Sequence, residues 1–139
     1  MRTLAILLLL TILSVPAHAG RLPVVLLEHL DNDVLALSIE ESALANIPDW
    51  QPGKGPVPLS VDSLIEKVRS WALKIHPDFD DVRFLEIVLK PIESPRYGTR
   101  WHYLVALQGI TDGKPTGRKI FLAVLFDGRI VHGVLEPKV

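Results

Sequence analysis

The apolar positions from Val61 to Ile75 repeat with a helical period, and almost everything after Pro77 repeats with the period of a strand. That switch, at one proline, constrains the fold more than any other feature of the chain. Val61, Leu64, Ile65, Val68, Trp71, Ala72 and Ile75 make one stripe, while Glu66, Lys67, Arg69, Ser70 and Lys74 fill the other side. Ser60 is placed to accept a bond from a free amide of the first turn, Asp62 favours the positive end of the helix dipole, and Pro77 stops the helix. Downstream, Val82 to Lys90, Arg100 to Gly109, Arg118 to Phe126 and Arg129 to Leu135 read as four strands. The segments PIESPRYG and ITDGKPTG read as connectors, and Asp127-Gly128 as a two-residue hairpin turn. The strand from Arg118 is apolar on both faces, the mark of an interior strand or a covered back face. The expected fold class is α+β, with one amphipathic helix packed on a four-stranded antiparallel meander.

The chain before this unit is harder to place. Residues 1–19 combine Arg2, an uncharged apolar run from Leu4 to Val15, and the small-x-small pattern Ala17-His18-Ala19. They read as an export signal cleaved between Ala19 and Gly20. The run is too short for a membrane-spanning helix, which needs about 20 apolar residues. The expected location is therefore the periplasm or the extracellular space, with no membrane span once the signal is removed. Residues 20–59 form an N-terminal arm and a Pro-rich connector ahead of a helix-plus-sheet domain at 60–139. Within the arm, Val34–Ile39 suits a short strand, and Ser38 with Glu41 offers a rival short helix from about Ile39 to Asn46. The connector 47–59 holds four prolines and two glycines, and Trp50 is expected to pin it to the domain.

Composition narrows the chemistry. The chain has no cysteine, which excludes thiol catalysis and thiolate metal sites and leaves packing alone to hold an exported fold. Residues 20–81 carry five bases against eleven acids, and residues 82–139 nine bases against five acids. Neither half has the dense basic stripe with interleaved aromatics that nucleic acid demands. Lys54 in GKG lacks the spacing of a phosphate loop.

His29, His76, His102 and His132 show no metal-binding spacing. In a meander, His102 and His132 stand about 10 Å apart across an intervening strand. The run from Asp31 starts like a calcium loop and fails at Leu35, Ala36 and Ser42, and Asp78, Asp80 and Asp81 read as a solvated turn. No nucleophile elbow occurs, Ser94 reads as a turn residue, and Glu40-Glu41 cannot face each other across a cleft. No metal, cofactor or catalytic residue is therefore expected.

The stretches PLSVDSLIEKVRSWA, WHYLVAL and IFLAVLFDGRIVHG resemble small exported bacterial domains of the PepSY type, and the arrangement is similar to cystatin-like helix-on-sheet folds. The segment LANIPDWQPGKGPVPLS with a late VLFDGRIV hairpin also looks like exported bacterial proteins with a Pro-x-Trp segment before a Pro-Leu-Ser helix start. The likeness spans roughly residues 44–135. It brings no catalytic residues and implies a binding or peptidase-inhibiting role.

On the strand from Arg100, Trp101, Tyr103, Val105 and Leu107 share a face expected to pack under Trp71. Arg100, His102 and Gln108, beside Leu104 and Ala106, share the other, which reads as a contact surface. The leading expectation is a non-enzymatic module that engages a protein or peptide through the sheet face or edge. The alternative is a small-ligand carrier or enzyme with a pocket between helix and sheet. A third arrangement is a homodimer through the back of the sheet, suggested by Leu122, Val124 and Phe126.

Overall fold

The computed structural model describes residues 24–30 and 32–138, so the expected export signal at 1–19 lies outside the described residues. In chain order the elements are β1 (Val24–His29), β2 (Asp33–Ile39), α1 (Glu41–Leu44), α2 (Val61–Ile75), β3 (Asp81–Ser94), β4 (Gly98–Thr111), β5 (Lys114–Leu125), β6 (Ile130–His132) and β7 (Val134–Pro137). The expected α+β class holds. Strands β3-β4-β5-β6 form a four-stranded antiparallel sheet in sequence order, with α2 on one face. A second, three-stranded sheet, β1-β2-β7, adds a layer that the sequence reading did not contain.

Helix α2 forms as its pattern dictates. The Ser63 amide donates to Ser60 Oγ at 3.1 Å, which satisfies one of the free amides of the first turn. Leu64, Val68 and Ala72 are fully buried against the sheet. The two ends of the stripe overrun it, leaving Val61 46% and Ile75 54% exposed. Replacing Ser60 with Ala is expected to lower stability by about 1 kcal/mol, read as a lower urea midpoint with an unchanged slope.

Three connections differ from expectation. Strand β3 runs on to Ser94 through Pro91, which lacks a backbone donor but lies on an edge strand where none is needed. The turn shrinks to Pro95–Tyr97, where Ser94 Oγ accepts from the amides of Arg96 and Tyr97. Between β4 and β5 the link is only Asp112-Gly113, with φ of 51° and 70° at the two positions, so this pair makes the two-residue hairpin. Asp127-Gly128 instead belongs to a three-residue loop. Leu125 pairs with Arg129, and only Gly128, at φ 88°, is left-handed.

The main core lies between α2 and the sheet, around Val105, Leu107, Leu122 and Val124. The connector closes one end of it. Trp50 Nε1 donates to the Gly55 carbonyl at 3.1 Å, and its ring meets Trp101 and Phe126 edge-on at 6.3 and 5.5 Å. The Tyr103 hydroxyl donates to the Leu59 carbonyl at 2.7 Å. Trp101 and Tyr103 do face the helix side, but their aromatic neighbours are Trp50 and Phe126. Trp71 packs at another place, beside His76 and His132.

A second core lies behind the sheet, where Leu35 and Leu37 of β2 pack on Ala123 with Leu104, Phe121, Val131 and Leu135. The strand reading holds at 34–39, as β2; the rival helix shrinks to a single turn, α1, that follows the strand with Glu40 at its N-cap, so Ser38 and Glu41 form no capping box. Residues 33–59 accordingly supply much of both cores, through Leu35, Leu37, Ile39, Leu44, Ile47, Trp50 and Leu59.

The second layer corrects the homodimer argument. Tyr103 pairs with Val124 and Val105 with Leu122, so Leu122 and Val124 face the helix, and Phe126 is buried in the same core. The true back-face residues of β5, Phe121 and Ala123, meet the small sheet. This explains why β5 is apolar on both sides.

Candidate functional site

Three strands place their back-face residues in rows. Arg83, Gln108 and Lys119 stand opposite one another across β3, β4 and β5, and the next row is Glu86, Ala106 and Phe121. A bulge at Leu85 sits between those rows on β3 and turns Leu85 outward, as bulges next to binding surfaces often do. The small sheet covers the far rows, around Leu104 and Ala123, and leaves the rows near Gln108 open.

The open part is a cleft of about 960 Å³. Its floor is the Arg83–Gln108–Lys119 row with Ala106 and Phe121. One wall is the β1–β2 connection at His29, Leu30, Asn32 and Asp33, and Leu135 of β7 closes the back. Arg83, Arg118 and Lys119 line it and form no ion pair with any described residue, whereas Arg69, Lys90, Arg100 and Arg129 each do. Asp33 and Glu86 are the acids in the lining. Unpaired cations beside the apolar Ala106, Phe121 and Leu135 suit a ligand that carries both negative charge and apolar surface.

A second cavity of about 480 Å³ adjoins the first and shares Arg118, Lys119, Phe121 and Leu135 with it. It lies where the main sheet runs out of strands. Strand β6 pairs only with Leu122–Val124, so among the described residues the first half of β5 has no neighbouring strand on that side. His76, Phe79, His132 and Val134 complete the wall. Phe79 is held there because its ring rests directly on the bare Cα of Gly109, where a Cβ would stand within 2.5 Å of the ring. Among the described residues, no three His, Asp or Glu side chains converge as metal ligands do.

The residues singled out in the sequence as a contact surface are not brought together. Gln108 lies in the first cleft. His102 lies under the small sheet, only 1% exposed, so it cannot meet a partner from solvent. Neither of its ring nitrogens has a hydrogen-bond partner. Burial pushes its pKa down from 6.5 to about 4, opposed in part by the Glu28 carboxylate, which pairs with Lys90 at 2.9 Å. Arg100 sits at the opposite end of β4, its side chain 15% exposed and Nη1 3.5 Å from Asp49. The alternation of β4 had put His102 and Gln108 on one face, as the register has them, but did not show which part of that face lies covered. Arg83, Arg118 and Lys119 were missed, although the surplus of bases after residue 82 was their signal.

The alternative placed a pocket between helix and sheet. Both cavities described above lie elsewhere, on the back of the sheet and at its edge. No helix among the described residues is long and apolar enough to cross a membrane. Compared with protein-family models, with curated proteins and with solved structures, the chain matches none.

Proposed function

We propose that this is an exported, non-enzymatic binding module that takes an extended acidic peptide segment across the uncovered part of its main sheet. The observation that carries this reading is the set of three cations, Arg83, Arg118 and Lys119, that line a 960 Å³ cleft beside Ala106, Phe121 and Leu135 with no ion pair to any described residue. The volume is at the upper end for small-ligand pockets, and the cleft continues into a second cavity rather than closing over a compact molecule. A polypeptide fits that shape. It can lay apolar side chains on Ala106, Phe121 and Leu135, set carboxylates against the cations, and meet the free backbone edge of β5. The resemblance to PepSY-type modules points toward binding as well.

The test is affinity for a labelled peptide alternating acidic and apolar residues, set against the same peptide with the acids changed to amides. The acidic peptide should bind at least tenfold more tightly at low salt, and the gap should shrink as salt rises. Reversing two charges, with Arg118→Glu and Lys119→Glu together, should abolish the preference without unfolding the protein, since both side chains are exposed. Equal binding of both peptides, or of neither, would overturn the reading.

A further inference from the structure

The first cleft accounts for the cations but not for the histidines of the second cavity. His76 follows α2 and His132 ends β6, and both rings neighbour Trp71, with centroids 6.3 and 5.9 Å from its ring. His76 is held stacked on Phe79 at 4.6 Å, and its Nε2 is sealed from solvent with no hydrogen-bond partner. Arg118 lies close enough to His132 to repel its proton, as does His76. Two histidines and an arginine thus converge on one cavity with no acidic side chain paired to any of them. An arginine and two imidazole rings left facing one another without a paired acid are stabilised by an anion placed among them.

We propose that this cavity captures the terminal carboxylate of the bound peptide, with His132 and Arg118 as its donors. The inference rests on the reading of the first cleft as a peptide site, because the shared residues Arg118, Lys119, Phe121 and Leu135 lead a chain from one cavity into the other. A peptide running over Phe121 and Leu135 past the unpaired half of β5 ends against His132. Besides His76, the titratable groups facing His132 here are Asp78 from the α2–β3 connection and Arg118 and Lys119 from β5. The β6–β7 side contributes Gly133, Val134 and Leu135, which carry no side-chain charge. Asp78 opposes a second negative charge, which selects a single carboxylate over a phosphate dianion.

The sign of the pH dependence follows. Burial, His76 and Arg118 all lower the pKa of free His132, and a carboxylate beside it raises it again. Protonation and capture therefore reinforce each other, and affinity rises as the solution is acidified through the histidine range.

The experiment compares the acidic peptide with a free C-terminus and with a C-terminal amide, at pH 5.5 and pH 8, while the His132 ring proton is titrated by NMR with and without N-acetylglycine. The free carboxylate should bind about tenfold more tightly than the amide at pH 5.5 and about threefold at pH 8. N-acetylglycine, but not its amide, should move the His132 titration upward. His132→Gln should remove the pH dependence of the difference and leave binding of the amidated peptide unchanged. If the amidated peptide binds as well as the free one at both pH values, carboxylate capture is wrong and the cleft reading survives. If neither peptide binds and N-acetylglycine leaves His132 unmoved, both fall.

Discussion

Acidification from pH 7 to pH 4 is expected to remove about 3 kcal/mol of stability through one side chain, His102. This histidine is only 1% exposed, wedged between β4 and the small sheet with both ring nitrogens unpartnered. A neutral ring tolerates that site and a charged one does not, because desolvation of the cation outweighs what the Glu28 carboxylate and the Lys90 backbone return, and Glu28 is already paired with Lys90. The folded pKa, about 4, lies below the unfolded value of 6.5. Between those values the unfolded chain binds the proton more readily, so stability is full above about pH 6.5 and declines toward pH 4.

Urea midpoints measured at half-unit steps should trace that decline, and His102→Leu should flatten it. Leucine matches the apolar surroundings and leaves no nitrogen unsatisfied, so the variant is expected to match or exceed the parent at pH 5. Burial also lowers the pKa of His132, which acts in the same direction, so the slope to compare is parent against His102→Leu alone. An identical slope in the two proteins would show that His102 is not the group responsible. Amides of β2 should lose protection from hydrogen exchange before those of β4, because the charge develops beneath the small sheet.

The second large effect is expected at Gly133, where the chain leaves the main sheet and enters the small one. Its amide still donates to the Phe121 carbonyl at 3.2 Å, and the next residue already belongs to β7. A Cβ built there would stand 2.4 Å from Leu35 Cδ1 and 3.0 Å from Leu37 Cδ2. Both leucines are fully buried, so neither can swing away into solvent. Gly133→Ala should therefore cost about 3 kcal/mol, the upper end for an overpacked core, because two neighbours must move together. Gly128→Ala is the useful comparison. Its φ of 88° makes alanine strained, but only the flexible end of Lys67 lies near, so about 1 kcal/mol is expected. Thermal and urea unfolding of the two variants side by side would check the ranking. A Gly133→Ala protein within 0.5 kcal/mol of the parent would mean that Leu35 and Leu37 have room that the packing does not show.

What the sequence disclosed was local. Helix α2 and strands β3 to β5 were legible because each carries its own periodicity over six or more residues, and Ser60, Pro77 and the Asp-Gly pairs punctuate them, whereas the run read as one last strand, Arg129 to Leu135, divides at Gly133 into β6 of the main sheet and β7 of the small one. The small sheet was not legible as a sheet. Val34–Ile39 could be read as a strand, but its partner on one side, Val134–Glu136, lies about a hundred residues away, and no local pattern records so distant a pairing. The same gap misplaced the contact surface. Alternation correctly put His102 and Gln108 on one face, yet the burial of His102 and the exposure of the cleft depend on what lies over each. The cations of that cleft come from two strands, β3 and β5, and their nearness is visible only once Arg83, Gln108 and Lys119 stand in line.

The passage of the chain between sheets at Gly133 also bears on the order in which the molecule can assemble. Strand β2 finds its second neighbour only in β7, the final stretch of the described chain. Until those residues emerge, β1 and β2 form a lone hairpin, a structure with little stability of its own in water. The helix and the four-stranded sheet can condense first, since their contacts are close in sequence, while Leu104, Phe121 and Ala123 stay wet. A newly made chain therefore passes through a stage with a greasy flank uncovered, and that interval is when it is most open to aggregation or to a chaperone's grip.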